Sequence, residues 1–167
     1  DTGNILLQET IAIGADETAG ELHDRMKITG ARLLVKTIRS LAGGTLKEQP
    51  QESLVHDEAG IKHAPKIFTE TCNINWENKT DRIFNLVRGL SPYPGAFTHL
   101  HDKTFKIFRC LKEEIAHHHK PGSIHSDGKT YLKFACTNGY IVCTEIQMEG
   151  KKRMGIGEFL RGYRMEC

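Results

Sequence analysis

Three groups of residues in this chain have types and spacings that could do chemistry. Asp1-Thr2-Gly3 sets a carboxylate in front of the apolar run Ile5-Leu6-Leu7. One use of such an acid is the water-activating pair of an acid protease, in which two carboxylates share a proton. That use requires a second carboxylate and an all-β frame with a strand before the acid. Here no strand precedes the triplet, Asn4 follows it, and a long helical pattern comes next. The protease reading is therefore set aside. The second group is His117-His118-His119. Adjacent imidazoles on one loop do not converge on a single ion without outside help, and His125 is the only nearby helper. The expected role is an exposed loop ahead of Pro121-Gly122-Ser123, with no metal site. The third group is basic: Arg88, and the compact run Lys151-Lys152-Arg153 after Gly150. A basic turn at the end of a small barrel can grip phosphates without reading sequence, and such binding depends steeply on salt.

These groups need elements to carry them. Asn4 to Ile13 has consecutive and then alternating apolar residues, which predicts a strand or strand pair. Residues 15–44 predict a long helix: Thr18 and Glu21 form a capping box, and Leu22, Met26, Leu33, Leu34, Ile38 and Leu41 recur at helical spacing. Gly43-Gly44 supplies its stop. The apolar stripe predicts that this helix covers a sheet, most of which these 167 residues do not supply. His23, Asp24 and Arg25 fall on its solvated side. From Thr45 to Lys66 the composition turns to Gln, Glu, Pro and His, the mark of a linker. Trp76 and Ile74 read as core. A short helix follows, with Thr80 as N-cap, Ile83, Phe84 and Val87 as its buried stripe, and Gly89 as its end. "SPYPG" then turns the chain.

The remainder is strand-rich. Asp127-Gly128 and Asn138-Gly139 predict tight hairpin turns. Leu132, Phe134 and Cys136 are expected on one face of one strand, and Val142, Ile146 and Met148 on one face of the next. Several short strands with regular turns favour a small barrel, plugged by the helix "IGEFLRG".

Composition narrows the class. The hydrophobic fraction is 38% and no apolar run is long enough to span a bilayer as a helix. Five cysteines (72, 110, 136, 143, 167) are an odd number without metal-type spacing, and Cys136 and Cys143 read as buried thiols on neighbouring strands. A reducing, cytoplasmic compartment is expected. Residues 1–66 carry eight Lys/Arg against ten Asp/Glu, whereas residues 67–167 carry fifteen against eleven. The basic second half is a mild pointer to a polyanionic partner.

Taken in order, "DTGNILLQETIAIGADETAGELHDRM", the linker, "INWENKTDRIFNLVRGLSPYPGAFT" and "IQMEGKKRMGIGEFLRG" resemble methionyl-tRNA formyltransferases over essentially the whole chain. "RGLSPYPGAFT" and "GKKRM…FLRG" are the most specific stretches. The resemblance implies an α/β architecture followed by a barrel: residues 1–44 as the end of a Rossmann-like formyltransferase domain (strand plus helix), 45–66 as linker, and 67–167 as a small OB-like β-barrel that binds tRNA. It implies formyl transfer from 10-formyltetrahydrofolate to the amino group of methionyl-initiator tRNA in translation initiation. Asp1 would be the acid of the family's Asn–His–Asp catalytic set, orienting the His. The Asn and His themselves, and most of the folate pocket, are expected upstream, so this portion alone is expected to be inactive. For tRNA the resemblance implies Arg88, Lys151, Lys152 and Arg153, with Lys62 and Lys66 as additions. Glu48, Glu52, Asp57 and Glu58 offset the linker lysines. A monomer with no membrane partner and no metal is expected. The competing readings are a sugar-amine or other 10-formyltetrahydrofolate-dependent formyltransferase, and a stand-alone nucleic-acid-binding module.

Overall fold

The computed structural model describes residues 3–54 and 63–163, so Asp1, Lys62 and Cys167 lie outside the described residues. The chain divides into two compact units, Asp1–Glu17 with Glu21–Lys66, and Thr18–Gly20 with Ile67–Cys167.

In the first unit the dominant element is α1 (Ala19–Ala42), which begins directly after the buried Thr18. The strand expected over residues 4–13 is absent. Ile5 instead makes a single antiparallel bridge to Gln49, with N–H to C=O bonds of 2.8 and 2.9 Å. A strand exists only where a neighbour continues the ladder, and among the described residues Gln49 is the neighbour that Ile5 finds. For the same reason the apolar stripe of α1 is largely uncovered by the described residues: Leu22 and Leu33 are half-buried, but Met26, Leu34, Ile38 and Leu41 are 51–61% exposed. A one-turn 3-10 helix, Gln51–Leu54, interrupts the expected linker.

The second unit opens with α2 (Thr69–Cys72) and α3 (Thr80–Leu90), followed by β1 (Ala96–Leu100), β2 (Lys103–Glu113), β3 (Ile124–Ser126), β4 (Leu132–Cys136), β5 (Gly139–Met148), β6 (Met154–Gly155) and α4 (Ile156–Gly162). The sheet is antiparallel, in the order β1-β2-β5-β4-β3. β2 runs along one edge of β5. On the other edge β4 pairs with Gly139–Val142 and β6 with Glu145–Ile146, so one strand serves three neighbours. This sharing curls the sheet into an open half-barrel.

Leu132, Phe134 and Cys136 share the inner face of β4, as their alternation predicts. On β5 the inner residues are Ile141, Cys143, Ile146 and Met148, whereas Val142 is half-buried. The parity changes because the β2–β5 register shifts on either side of Arg109, and the expected Val142 face held only beyond that irregularity. α3 closes the concave side with Ile83, Phe84, Val87 and Leu90. Trp76 stacks on Phe134 with ring centroids 4.5 Å apart, and its indole N–H donates to Thr98 Oγ1. Phe159 of α4 packs edge-on against Phe105, plugging the barrel end. Cys72, Cys110, Cys136 and Cys143 are free and buried. Cys110 and Cys143 face each other across β2 and β5, and burial pushes the Cys110 thiol up to about 12. Such thiols stay protonated and unreactive.

Two turns differ from expectation. Asp127-Gly128 sits in a five-residue loop between Ser126 and Leu132 rather than in a two-residue turn. The Asp127 carboxylate accepts the backbone N–H groups of Lys129, Thr130 and Tyr131 and the Thr130 hydroxyl, and these bonds hold it well below the usual carboxylate range. In the β4–β5 hairpin the central pair is Thr137-Asn138, because Gly139 already pairs with Cys136. A Cβ at Gly139 would stand 2.1 Å from Glu113 O. Asn138 is thereby free to serve α3. Its Oδ1 accepts the Thr80 N–H at 2.8 Å and its Nδ2 donates to Thr80 Oγ1. Thr80 is therefore the first helical residue rather than the N-cap, which is Lys79, and the helix runs through Gly89 to Leu90. Asn138→Ala should cost about 1–2 kcal/mol in urea unfolding, the value of a lost helix cap with a buried partner left unpaired. Gly139→Ala should cost more than about 2 kcal/mol, because the added carbon meets backbone rather than a movable side chain.

Candidate nucleic-acid interface

The basic turn joins β5 to β6. Its shape follows from Gly150, at φ +74°, and from two bonds, Lys151 N–H to Met148 O and Gln147 Nε2 to Lys151 O, both 2.9 Å. Glu149 ties the turn to β2: its N–H donates to Thr104 O, and its carboxylate accepts the Thr104 N–H at 2.8 Å. That bond, before the charge of Lys103, holds the Glu149 carboxyl below its ordinary value. The turn is thus anchored through backbone and acid, and its cations project outward.

The three cations differ in engagement. Lys151 is exposed. Lys152 Nζ lies 3.7 Å from Glu158 Oε1, a loose surface pair of little energetic weight. Arg153 is held on two sides. Its Nη2 donates to Glu145 Oε2 at 2.6 Å, and its guanidinium rests 4.4 Å from the centroid of Phe108. Arg109 reaches the same Glu145 oxygen at 3.8 Å. Glu145 therefore bridges two guanidiniums, one of which (Arg109) had no place in the sequence-based set. Its alternation on β2 could have suggested it, but its neighbour depends on the β2–β5 register.

The other candidates stand on other elements. Arg88 is in the last turn of α3, with Nε donating to Asn85 Oδ1 at 2.7 Å. Lys66 is the last residue of the linker, outside any helix or strand, and belongs to the first unit. Lys62 and the catalytic candidate Asp1 lie outside the described residues.

The histidine loop is more organised than a solvated tract. His117, His119 and His125 gather around Tyr140, with centroid separations of 4.4 Å for His117–Tyr140, 4.2 Å for His119–His125 and 5.3 Å for His125–Tyr140. Lys133 Nζ sits 4.1 Å from the Tyr140 ring and pairs with Glu113. His117 Nε2 lies 2.8 Å from Gly139 O, and its Nδ1 is 3.1 Å from the His119 N–H. A carbonyl can only accept and an amide N–H can only donate, so His117 is the Nε2–H tautomer. Burial first, then the neighbouring His119, Lys133 and His117, lower the His125 pKa. Among the described residues no group of His, Cys, Asp and Glu is arranged to hold a metal ion, and no helix is long and apolar enough to cross a membrane.

Residues 66–164 match the family described as "Formyl transferase, C-terminal domain". The chain is 38% identical over 169 residues to a protein of Phocaeicola vulgatus named methionyl-tRNA formyltransferase, covering 98% of this chain and 52% of that protein. It is 41% identical over 168 residues to one of the same name from Azobacteroides pseudotrichonymphae, covering 97% and 52%. The chain thus spans about half the length of the curated relatives it matches. Among solved structures it is similar to a variant of HypX from Aquifex aeolicus, at TM-score 0.68 and 18% identity over 99% of this chain and 29% of that one. It is also similar to the sugar 3N-formyl transferase WlaRD, at TM-score 0.56 and 18% identity over 90% and 51%. The last two are likenesses of fold: α/β elements followed by a barrel-like domain.

The bridging role of Glu145 has a measurable consequence. Glu145→Ala removes one negative charge and releases Arg109 and Arg153 from it. The variant should elute from a heparin column at higher salt than the parent, with the salt slope of polyanion binding steeper by about one unit. Unchanged elution would mean that Arg109 and Arg153 do not reach the polyanion.

Proposed function

We propose, from the premise that this chain belongs to the formyl transferase family whose C-terminal domain it carries, that the full-length protein formylates methionyl-initiator tRNA. The observation that carries this reading is identity of 37–41% along nearly the whole chain to proteins named methionyl-tRNA formyltransferase, against 18% to the sugar 3N-formyl transferase. The formyl donor is 10-formyltetrahydrofolate. In support, HypX has been solved in complex with tetrahydrofolic acid, and WlaRD in the presence of 5-N-formyl-THF. Residues 1–44 contribute to the formyltransferase domain, 45–66 link, and 67–167 form the tRNA-binding barrel of a cytoplasmic, monomeric enzyme.

The chemistry assigns distinct work to the two ends. The amine of the methionyl ester attacks the formyl carbon, and the carbonyl oxygen becomes an oxyanion that needs a hydrogen-bond donor. The attacking amine must also lose a proton. Asp1 orients the family's His for both tasks, as a buried acid fixes an imidazole in other transfer enzymes. Lys151 and Lys152, with Arg153 and Arg88, take phosphates of the tRNA, and Lys62 and Lys66 add to them. The backbone-pinned turn presents its charge without cost of ordering, which supports this use. A sugar-amine formyltransferase is the second reading, favoured by the fold likeness to WlaRD.

In the full-length protein, Asp1→Asn should lower kcat by about 10²–10⁴-fold while leaving the Kd for tRNA within a factor of two. Near-normal turnover would remove Asp1 from the catalytic set. Lys151→Glu with Lys152→Glu should raise KM for methionyl-tRNA about tenfold or more at low salt, with kcat retained. An unaltered KM would return both to ordinary surface residues. Formyl transfer to an amino sugar, with none to methionyl-tRNA, would establish the second reading instead.

A further inference from the structure

From Arg25 to Lys47 the chain carries six cations and not one Asp or Glu. The whole-segment charge conceals this, because the acids of the first unit cluster on either side of it. On α1, at 100° per residue, Arg25, Arg32, Lys36 and Arg39 fall within an arc of about 60°. Arg25 is committed, donating to Glu17 and to Ala12 O. Arg32, Lys36 and Arg39 are exposed and make no ion pair among the described residues. They line one shallow groove together with Ala31, Val35 and Ser40.

Helix stability does not explain the stripe. Cations are favoured near a helix C-terminus, but the effect fades beyond the last turn, and only Arg39 is in it. Like charges at i, i+4 and i, i+3, as in Arg32–Lys36 and Lys36–Arg39, weaken a helix. Three cations side by side at that cost, with no ion pair among the described residues, point to an anion supplied from outside. Two of them are Arg, whose planar fork grips phosphate bidentately. Arg32 to Arg39 spans about 10.5 Å of helix, comparable to the axial rise of about three nucleotide steps along one strand.

We propose that the Arg32–Lys36–Arg39 face of α1 is a second polyanion site, which binds RNA phosphates separately from the barrel turn. The assignment of the partner as RNA rests on the proposed function. The site lies wholly in the first unit and is defined by its own residues.

The test uses the full-length protein with two probes, initiator methionyl-tRNA and a non-specific RNA hairpin, in filter binding across a salt series. The variants are Arg32→Glu/Lys36→Glu/Arg39→Glu and its neutral counterpart with Gln at all three positions, which keeps good helix formers. Both should weaken binding of both probes at least tenfold at low salt and reduce the slope of log Kd against log salt by about two to three, with an unchanged circular-dichroism melting temperature for the Gln variant. A Gln variant with parental slope on both probes overturns the site while leaving the proposed function intact. Loss of binding to phosphatidylserine vesicles with parental RNA slopes would also overturn it, because the partner would then be a lipid surface. If the hairpin requires the stripe but methionyl-tRNA is never formylated by the parent protein, the site stands and the proposed function falls.

Discussion

The second unit depends on one amide. Asn138 sits at the tip of the β4–β5 hairpin, and its side chain both accepts from and donates to Thr80, 58 residues earlier. Thr80 is fully buried at the start of α3 and also donates to Glu114. The first N–H groups of a helix have no partner of their own, and burying them unsatisfied would be costly. The hairpin solves this by lending a side chain. It can come close enough only because Gly139 lies against the Glu113 carbonyl without a Cβ. Helix position, hairpin geometry and the passage of β2 into the histidine loop are therefore settled together.

The outer side of the half-barrel repeats one arrangement twice. Phe108 and Tyr140 are buried, yet neither belongs to the main core cluster. Phe108 lies under Arg153, and Tyr140 lies under Lys133 and three imidazoles. An aromatic face attracts a cation and shelters its stem. Each ring gives a basic or titratable group a fixed seat. Near the barrel turn Arg153 and Arg109 are thus positioned groups that share Glu145, and their use by a polyanion involves exchange of one anionic partner for another.

Legibility followed locality. Helix α1 was readable from Thr18, its 3.6-residue period and its glycine stop, since all of these act within a few residues of each other. The apolar faces of β4 and α3 were readable for the same reason. The role of Asn138 was not, because its side chain works far along the chain while its backbone looks like any turn. The inward face of β5 was misjudged at Val142, because Thr144 has no partner in the ladder between Glu145 and Cys143, and that irregularity depends on how β5 pairs with β2 rather than on local alternation. The strand expected near Ile5 failed because alternation marks a segment able to pair, not the presence of a neighbour. The α1 stripe escaped notice because charge summed over 66 residues averages out a 23-residue interval without acids.

The irregularity at Phe108 also sets where this chain tolerates changes of length. The ladder counts Ile107 against Ile146 and Cys110 against Cys143, with Arg109 opposite Glu145 and no pairing given to Phe108. Removing a residue there would shift one arm of β2 by one and turn its side chains to the opposite face, carrying Phe105 and Ile107 out of the core. The 127–131 loop is different: its conformation is held by one carboxylate and three successive N–H groups, outside any ladder. Insertions and deletions in related chains should accordingly collect there and avoid residues 105–110.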